Sequence, residues 1–175
     1  MIRVDIETII MASGAVPSLI VLRERPNRTE SKAPLRALSI QTGSFEAASI
    51  SRGIEGNTGS RPITHDLFVD TIQKLGARLE RVEINRVDAP VFYSSIVLAQ
   101  DHSSDDENAS AREITVDARP SDALALAVRA NAPIFVEDDV MNRAGTISYR
   151  TEKASGDDEL EKFDEFVQTL SPDDF

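Results

Sequence analysis

Cysteine is absent from all 175 residues, which excludes disulfides, thiolate metal sites and a cysteine nucleophile. The absence fits a reducing compartment. Tryptophan is absent too, beside only two Tyr and seven Phe, so an aromatic platform for stacking successive bases is not expected. No apolar run approaches the roughly 20 residues of a membrane span. The opening MIRVDIETII carries acids and no small-residue cleavage site, and it is not read as a signal peptide. The expectation is a soluble, cytoplasmic protein with no membrane partner. Missing as well are G-x-G-x-x-G, the P-loop, H-E-x-x-H and G-x-S-x-G. Ser121 follows a Pro in a His-poor region, and no Ser–His–Asp order is suggested.

A basic excess is also lacking. The net charge is −11, against the basic footprint that nucleic-acid binding calls for. Its distribution qualifies that. Residues 137–175 hold 12 acids and 4 bases, and the stretch DHSSDDENAS (101–110) adds −4. The rest carries 14 acids and 15 bases. The acidity belongs to a loop and a tail, and a neutral body leaves room for a local basic groove.

What is present is a doubled unit. At a shift of 76 residues, SLIVL (18–22) falls on SSIVL (94–98), SFEAASI (44–50) on PSDALAL (120–126), and Ile6–Glu7 on Val82–Glu83. One register running from about 2–53 onto 78–129 implies an internal duplication. Alternation predicts strands at 2–9, 17–24 and 35–41, a polar tip at 25–34 and a helix at 44–54. The second copy gives strands at 78–87, 91–100 and 111–118, then a helix at 120–131. Strand runs closed by a helix predict an α+β fold: a mixed or antiparallel sheet with packed helices. Equal copies predict two similar sheets, or halves of one, related by an approximate twofold. Strand-rich units of this kind often bury an edge, so a homo-oligomer is expected.

Between the copies, RPITHDLFVDTIQKLGA predicts a helix with Thr64 as N-cap and Gly76 as stop. Leu67, Phe68, Thr71, Ile72 and Leu75 share its apolar face. A short strand at 134–136 and a short helix to about Arg143 complete a domain of residues 1–145. Residues 146–175 form an acidic linker and an amphipathic segment with Leu160, Phe163, Phe166, Val167 and Leu170 at helical spacing. The segment at 157–170 either docks on its own domain or binds a protein partner.

The densest chemistry lies in ITVDARPSDALALAVRANAP (114–133). Pro120 suits the first helical position and extends Arg119 before it. Asp122, and Glu46 at the matching place in the first copy, are set to reach back to free helix-start N–H groups. The alternative is a site. If the duplication brings Glu46, Asp117 and Asp122 together, they could hold Mg²⁺ or Mn²⁺ for phosphodiester cleavage. Arg119 would then stabilise charge on the phosphate, and His65 would act as general base or metal ligand. The competing function is a non-catalytic ligand-binding or protein-interaction module.

The stretches RPITHDLFVDTIQKLGARLERVEI, VFYSSIVLA and VDARPSDALALAVRANAPIFV resemble the bifunctional nuclease (BFN) domain over about residues 1–145. The tail EKFDEFVQTLSPDDF resembles the end of its actinobacterial members. Where the family carries P-I-W-I-G, this chain has RALSIQTGSFEA, without the Trp. The resemblance implies an α+β fold and a nuclease acting on RNA or DNA. The positions that match its motifs are His65 and Asp66, then Asp117, Arg119, Ser121 and Asp122.

Overall fold

The computed structural model describes residues 1–12, 16–26, 34–56, 59–100 and 112–147. The first copy supplies β1 (Ile2–Ile10), β2 (Ser18–Glu24), β3 (Arg36–Thr42) and α1 (Ser44–Ile54). After α2 (Thr64–Lys74) the second supplies β4 (Ala77–Asp88), β5 (Val91–Gln100), β6 (Arg112–Ala118) and α3 (Pro120–Ala130). β7 (Ile134–Val136), α4 (Asp138–Ala144) and β8 (Thr146–Ile147) follow. The amphipathic segment at 157–170 and the acidic stretch at 101–110 lie outside the described residues.

The two copies are halves of one eight-stranded sheet, in the order β6-β5-β4-β7-β1-β2-β3-β8. Each half is an antiparallel meander. The short β7 joins them, antiparallel to β1 and parallel to β4. The halves therefore run in opposite directions across β7, and the fold is α+β with a mixed sheet. Two-residue β8, which the sequence did not announce, pairs with β3 at the edge.

The duplication is regular in all but one strand. β3 and α1 repeat as β6 and α3 with both bounds displaced by 76 residues, and β2 repeats as β5 with its end displaced by 76, β5 beginning three residues earlier. β1 does not keep that shift. Val4 opposes Glu24 as Ala77 opposes Gln100, and Ile6 opposes Leu22 as Leu79 opposes Leu98, so β1 matches β4 at 73. Both strands carry a bulge just after these pairs, skipping Glu7 in one and Glu80 in the other. The expected match of Ile6–Glu7 with Val82–Glu83 is thus corrected. A bulge fixes pairing locally, whereas the length of a β-hairpin is free to change beyond it. β4 and β5 extend to a tight turn at Ala89–Pro90, while β1 ends at Ile10 and β2 begins at Ser18.

One apolar cluster runs through the molecule, with Ile20, Leu22, Leu38, Ile84 and Ile96 from the sheet and Leu124 from α3 all essentially inaccessible. α3 lies on the sheet between α1 and α2. Its sequence, apolar nearly all round, is accounted for by burial from Ala123 to Ala127. α4 contacts both β4 and β3, which stand four places apart, so the sheet curls around it.

α2 departs from the expected packing. Ile72 is buried at 8% exposure, but Leu67, Phe68 and Leu75 of the same stripe face solvent, Leu67 at 56%. The helix is turned so that His65 and Asp66 reach inward. Ile63 takes the N-cap position expected of Thr64, and the Asp66 carboxylate accepts its N–H at 2.9 Å. Ile72→Ala is expected to lose about 2–3 kcal/mol in urea denaturation, and Leu67→Ala less than about 0.5 kcal/mol. Equal losses would contradict this orientation of α2.

Candidate functional site

The starts of α1 and α3 lie side by side, and Arg119 links them. Its Nε and Nη2 donate to the two oxygens of Asp122 at 2.8 and 3.2 Å, a bidentate pair within one helix turn. Its Nη1 donates to Glu46 Oε1 of α1 at 3.3 Å. The Arg119 side chain is still 65% exposed, so its outer face remains open. The two acids do not cap their helices as expected. Asp122 spends its oxygens on Arg119 and on His65, whose Nε2 lies 3.3 Å from Oδ1. Side chains outcompete the backbone here because the guanidinium fork satisfies both oxygens at once.

His65 belongs to neither copy. It comes from the first turn of α2, and its other ring nitrogen, Nδ1, meets Ser49 Oγ of α1 at 2.9 Å. Behind Ser49 stands Arg129, at the end of α3. Its Nη2 donates to Ser49 Oγ at 3.5 Å, its Nη1 to the Ala125 carbonyl at 2.8 Å, and its Nε to Asp66 Oδ1 at 2.5 Å. With Arg129 donating to Ser49, the serine hydrogen is free to point at Nδ1, which leaves the ring hydrogen on Nε2, facing Asp122. Glu46, Arg119, Asp122, His65, Ser49, Arg129 and Asp66 thus form one continuous line of hydrogen bonds.

Of the residues expected from sequence, the structure brings together Glu46, His65, Arg119 and Asp122. Asp117 stays apart. It pairs with Ser95 in β6, while its neighbour Ala118 pairs with buried Ser94 and packs on the core. Alternation therefore turns Asp117 to the face of the sheet away from the helices. The expected convergence of Glu46, Asp117 and Asp122 on one ion is not found. Among the described residues no group of three or more His, Asp or Glu side chains is placed to hold a metal. Glu46 and Asp122 both point at a guanidinium instead. The carboxylates as they stand do not fit a divalent cation.

Sequence reasoning missed Ser49 and Arg129. One signal was available in the repeat: the two arginines of the site stand where the first copy has glycine. Arg119 matches Gly43, and Arg129 matches Gly53. These glycines make room. A Cβ on Gly53 would come within 2.6 Å of Val128 and 2.8 Å of Arg129, and one on Gly43 would run into the Glu46 carboxylate.

Beside the cluster opens a cleft of about 370 Å³. Arg119, Glu46 and Ser121 line it on the helix side, and Pro90, Val91 and Phe92 of the β4–β5 hairpin form an apolar wall opposite. Electrostatics at the cluster favour the ionised forms. Burial pushes the Asp122 carboxyl up, but Arg119 and His65 together outweigh it and hold it below the ordinary carboxylate value. Hydrogen bonding to Asp122 raises Arg119 further. Burial likewise raises Asp66, and the Arg129 guanidinium and the Ile63 N–H outweigh it.

The chain belongs to the bifunctional nuclease domain family, whose sequence model matches residues 28–148. It is similar to uncharacterized proteins of two Mycobacterium tuberculosis strains, CDC 1551 / Oshkosh and ATCC 25618 / H37Rv. Each is 38% identical over 145 residues, covering 80% of this chain and 81% of the relative. The actinobacterial resemblance is therefore borne out. No helix among the described residues is long and apolar enough to cross a membrane.

Groups whose native pKa is lowered add stability above their unfolded pKa and lose it as pH falls through the native value. Asp66 and Asp122 place that loss in the acid range, below about pH 4. The pair of Asp66 and Arg129, 15% and 8% exposed, carries most of it. Asp66→Ala is expected to destabilise by about 2–3 kcal/mol at neutral pH and to flatten the acid side of the stability–pH curve. A variant with unchanged urea midpoint and unchanged acid slope would contradict the pairing.

Proposed function

We propose that the protein cleaves phosphodiester bonds of RNA or DNA at the Arg119 cleft. The observation that carries this reading is an arginine held bidentate by Asp122 yet 65% exposed over a cleft, in a chain of the bifunctional nuclease domain family. Arg119 binds the phosphate and stabilises charge developing on its oxygens. Asp122 fixes the plane of the guanidinium, so that little freedom is lost on binding. His65 is the acid–base group. Its contact with Asp122 is the longer of its two, and is the one a water or leaving oxygen would exchange with. The neutral body and acidic periphery confine nucleic-acid contact to this local site.

The test is cleavage of labelled single-stranded RNA and DNA by the full chain, with Mg²⁺, with Mn²⁺ and with EDTA. Arg119→Ala and Asp122→Ala, confirmed folded by circular dichroism, are expected to lose about 10²-fold or more. Loss with EDTA would reinstate a cation at carboxylates rearranged from their present pairs. No cleavage by the native chain, or equal cleavage by all three proteins, overturns the reading.

A second reading, an association module, is favoured by the solvent-facing stripe of Leu67, Phe68 and Leu75 on α2. We propose that a second copy of the chain covers it. Sedimentation of Leu67→Glu/Phe68→Glu is expected to give a smaller species than the native chain. An unchanged mass would remove this face from consideration. A protein partner for residues 157–170 is a separate proposal, and those residues lie outside the described structure.

A further inference from the structure

The cleft already holds an anion of its own. The Glu46 side chain folds back over the start of α1, close enough that a Cβ on Gly43 would strike its carboxylate. Arg119 donates to the same carboxylate. A negative group over a helix start and beside a guanidinium sits where an incoming anion would gain most.

The bonds to Arg119 are unequal. Asp122 takes two, at 2.8 and 3.2 Å, from the residue three places before it. Glu46 takes one, at 3.3 Å, from another helix. Asp122 therefore orients the guanidinium, and Glu46 is the partner that can be exchanged. A second donor waits beside it. Ser121 is 8% exposed and lines the cleft, where its hydroxyl can donate to what enters. An ester phosphate has acceptor oxygens enough to take Arg119 and Ser121 together, where a carboxylate on a short tether takes one. The cleft volume admits a phosphate with its sugar, and the Pro90–Phe92 wall offers an apolar surface to what is attached.

We infer that this cleft seats the phosphate of a phosphate ester on Arg119 and Ser121, and that Glu46 is its built-in competitor, displaced when the phosphate enters. The inference rests on the nuclease reading for the role of Arg119 but is tested by binding, not by cleavage. It also assigns Glu46 a role opposite to that of a metal ligand: removing its charge improves ligand binding instead of abolishing it.

The experiment is calorimetric titration of the full chain with adenosine 5′-monophosphate, with inorganic phosphate and adenosine as controls and folding checked by urea denaturation. Glu46→Gln is expected to bind the monophosphate about fivefold more tightly than the native chain, the equivalent of one exposed ion pair. Glu46→Ala should follow it, Ser121→Ala should bind several-fold more weakly, and Arg119→Ala should not bind. Adenosine alone should not bind, and inorganic phosphate should bind more weakly than the ester. Equal or weaker binding by both Glu46 variants, binding indifferent to Arg119→Ala, or no binding by any of these proteins overturns the inference. Tightening by Glu46→Gln in a protein that cleaves no nucleic acid would leave the seat standing and sink the nuclease reading. Cleavage together with weaker binding by Glu46→Gln would do the reverse.

Discussion

A guanidinium taken out of water must have its hydrogen bonds filled, and Arg129 meets that demand by drawing three helices together. It holds Asp66 of α2, the Ala125 carbonyl of its own helix α3 and Ser49 of α1. The consequences spread outward. α2 is rotated until Asp66 and His65 face inward, at the expense of leaving Leu67 and Phe68 in solvent. His65 then lies between Ser49 and Asp122. Asp122, backed by His65, fixes Arg119 at the mouth of the cleft. A charged pair at the far end of α3 thus sets the geometry at its start. Breaking one partner of such a pair leaves the other buried and unpaired, which is why it constrains the packing so strongly.

The duplication explains how a site of this kind arises. Two copies deliver two helix starts, each with an acid at the third position, Glu46 and Asp122. Divergence then separates their work. The second copy has Arg119 and Arg129 where the first has Gly43 and Gly53; Gly43 clears space for the Glu46 carboxylate of its own helix start, and Gly53 for Val128 and Arg129 of α3. Ser121, buried at the cleft, matches Phe45, which stands in solvent. Equivalence of backbone with asymmetry of side chains gives one cleft lined by a guanidinium that Asp122 orients, by Glu46 paired to it and by Ser121.

The fold was legible in the sequence where a short-range pattern controls it. Alternation marked each strand of both meanders within a residue or two, and the 76-residue shift matched both helix starts. It misplaced β1 by three residues, because Ile6–Glu7 resembles Val82–Glu83 in composition while the bulge that sets the pairing leaves no composition of its own. The stripe on α2 pointed the wrong way for a different reason: a periodic apolar face predicts burial only if no stronger polar demand turns the helix. In the site, the acids and Arg119 were visible as a cluster at a helix start. His65 was named from its motif, but Ser49 and Arg129 were not, since these three residues come from three helices and meet only in space. Asp117 was drawn in by its place beside Arg119 in the same motif, and strand alternation sends it to the other face.

If the proposed seat exists, Arg119 and Ser121 receive a phosphate of a nucleic-acid chain in the cleft that Glu46 now lines. A crystal structure of the protein with a cleavage-resistant dinucleotide phosphorothioate tests it most directly. The phosphorus group is expected within hydrogen-bond distance of the Arg119 guanidinium and the Ser121 hydroxyl, with the Asp122 pair intact and the Glu46 carboxylate turned out of the cleft. A dinucleotide ordered elsewhere, or a cleft still filled by Glu46 with the ligand at saturation, would contradict it.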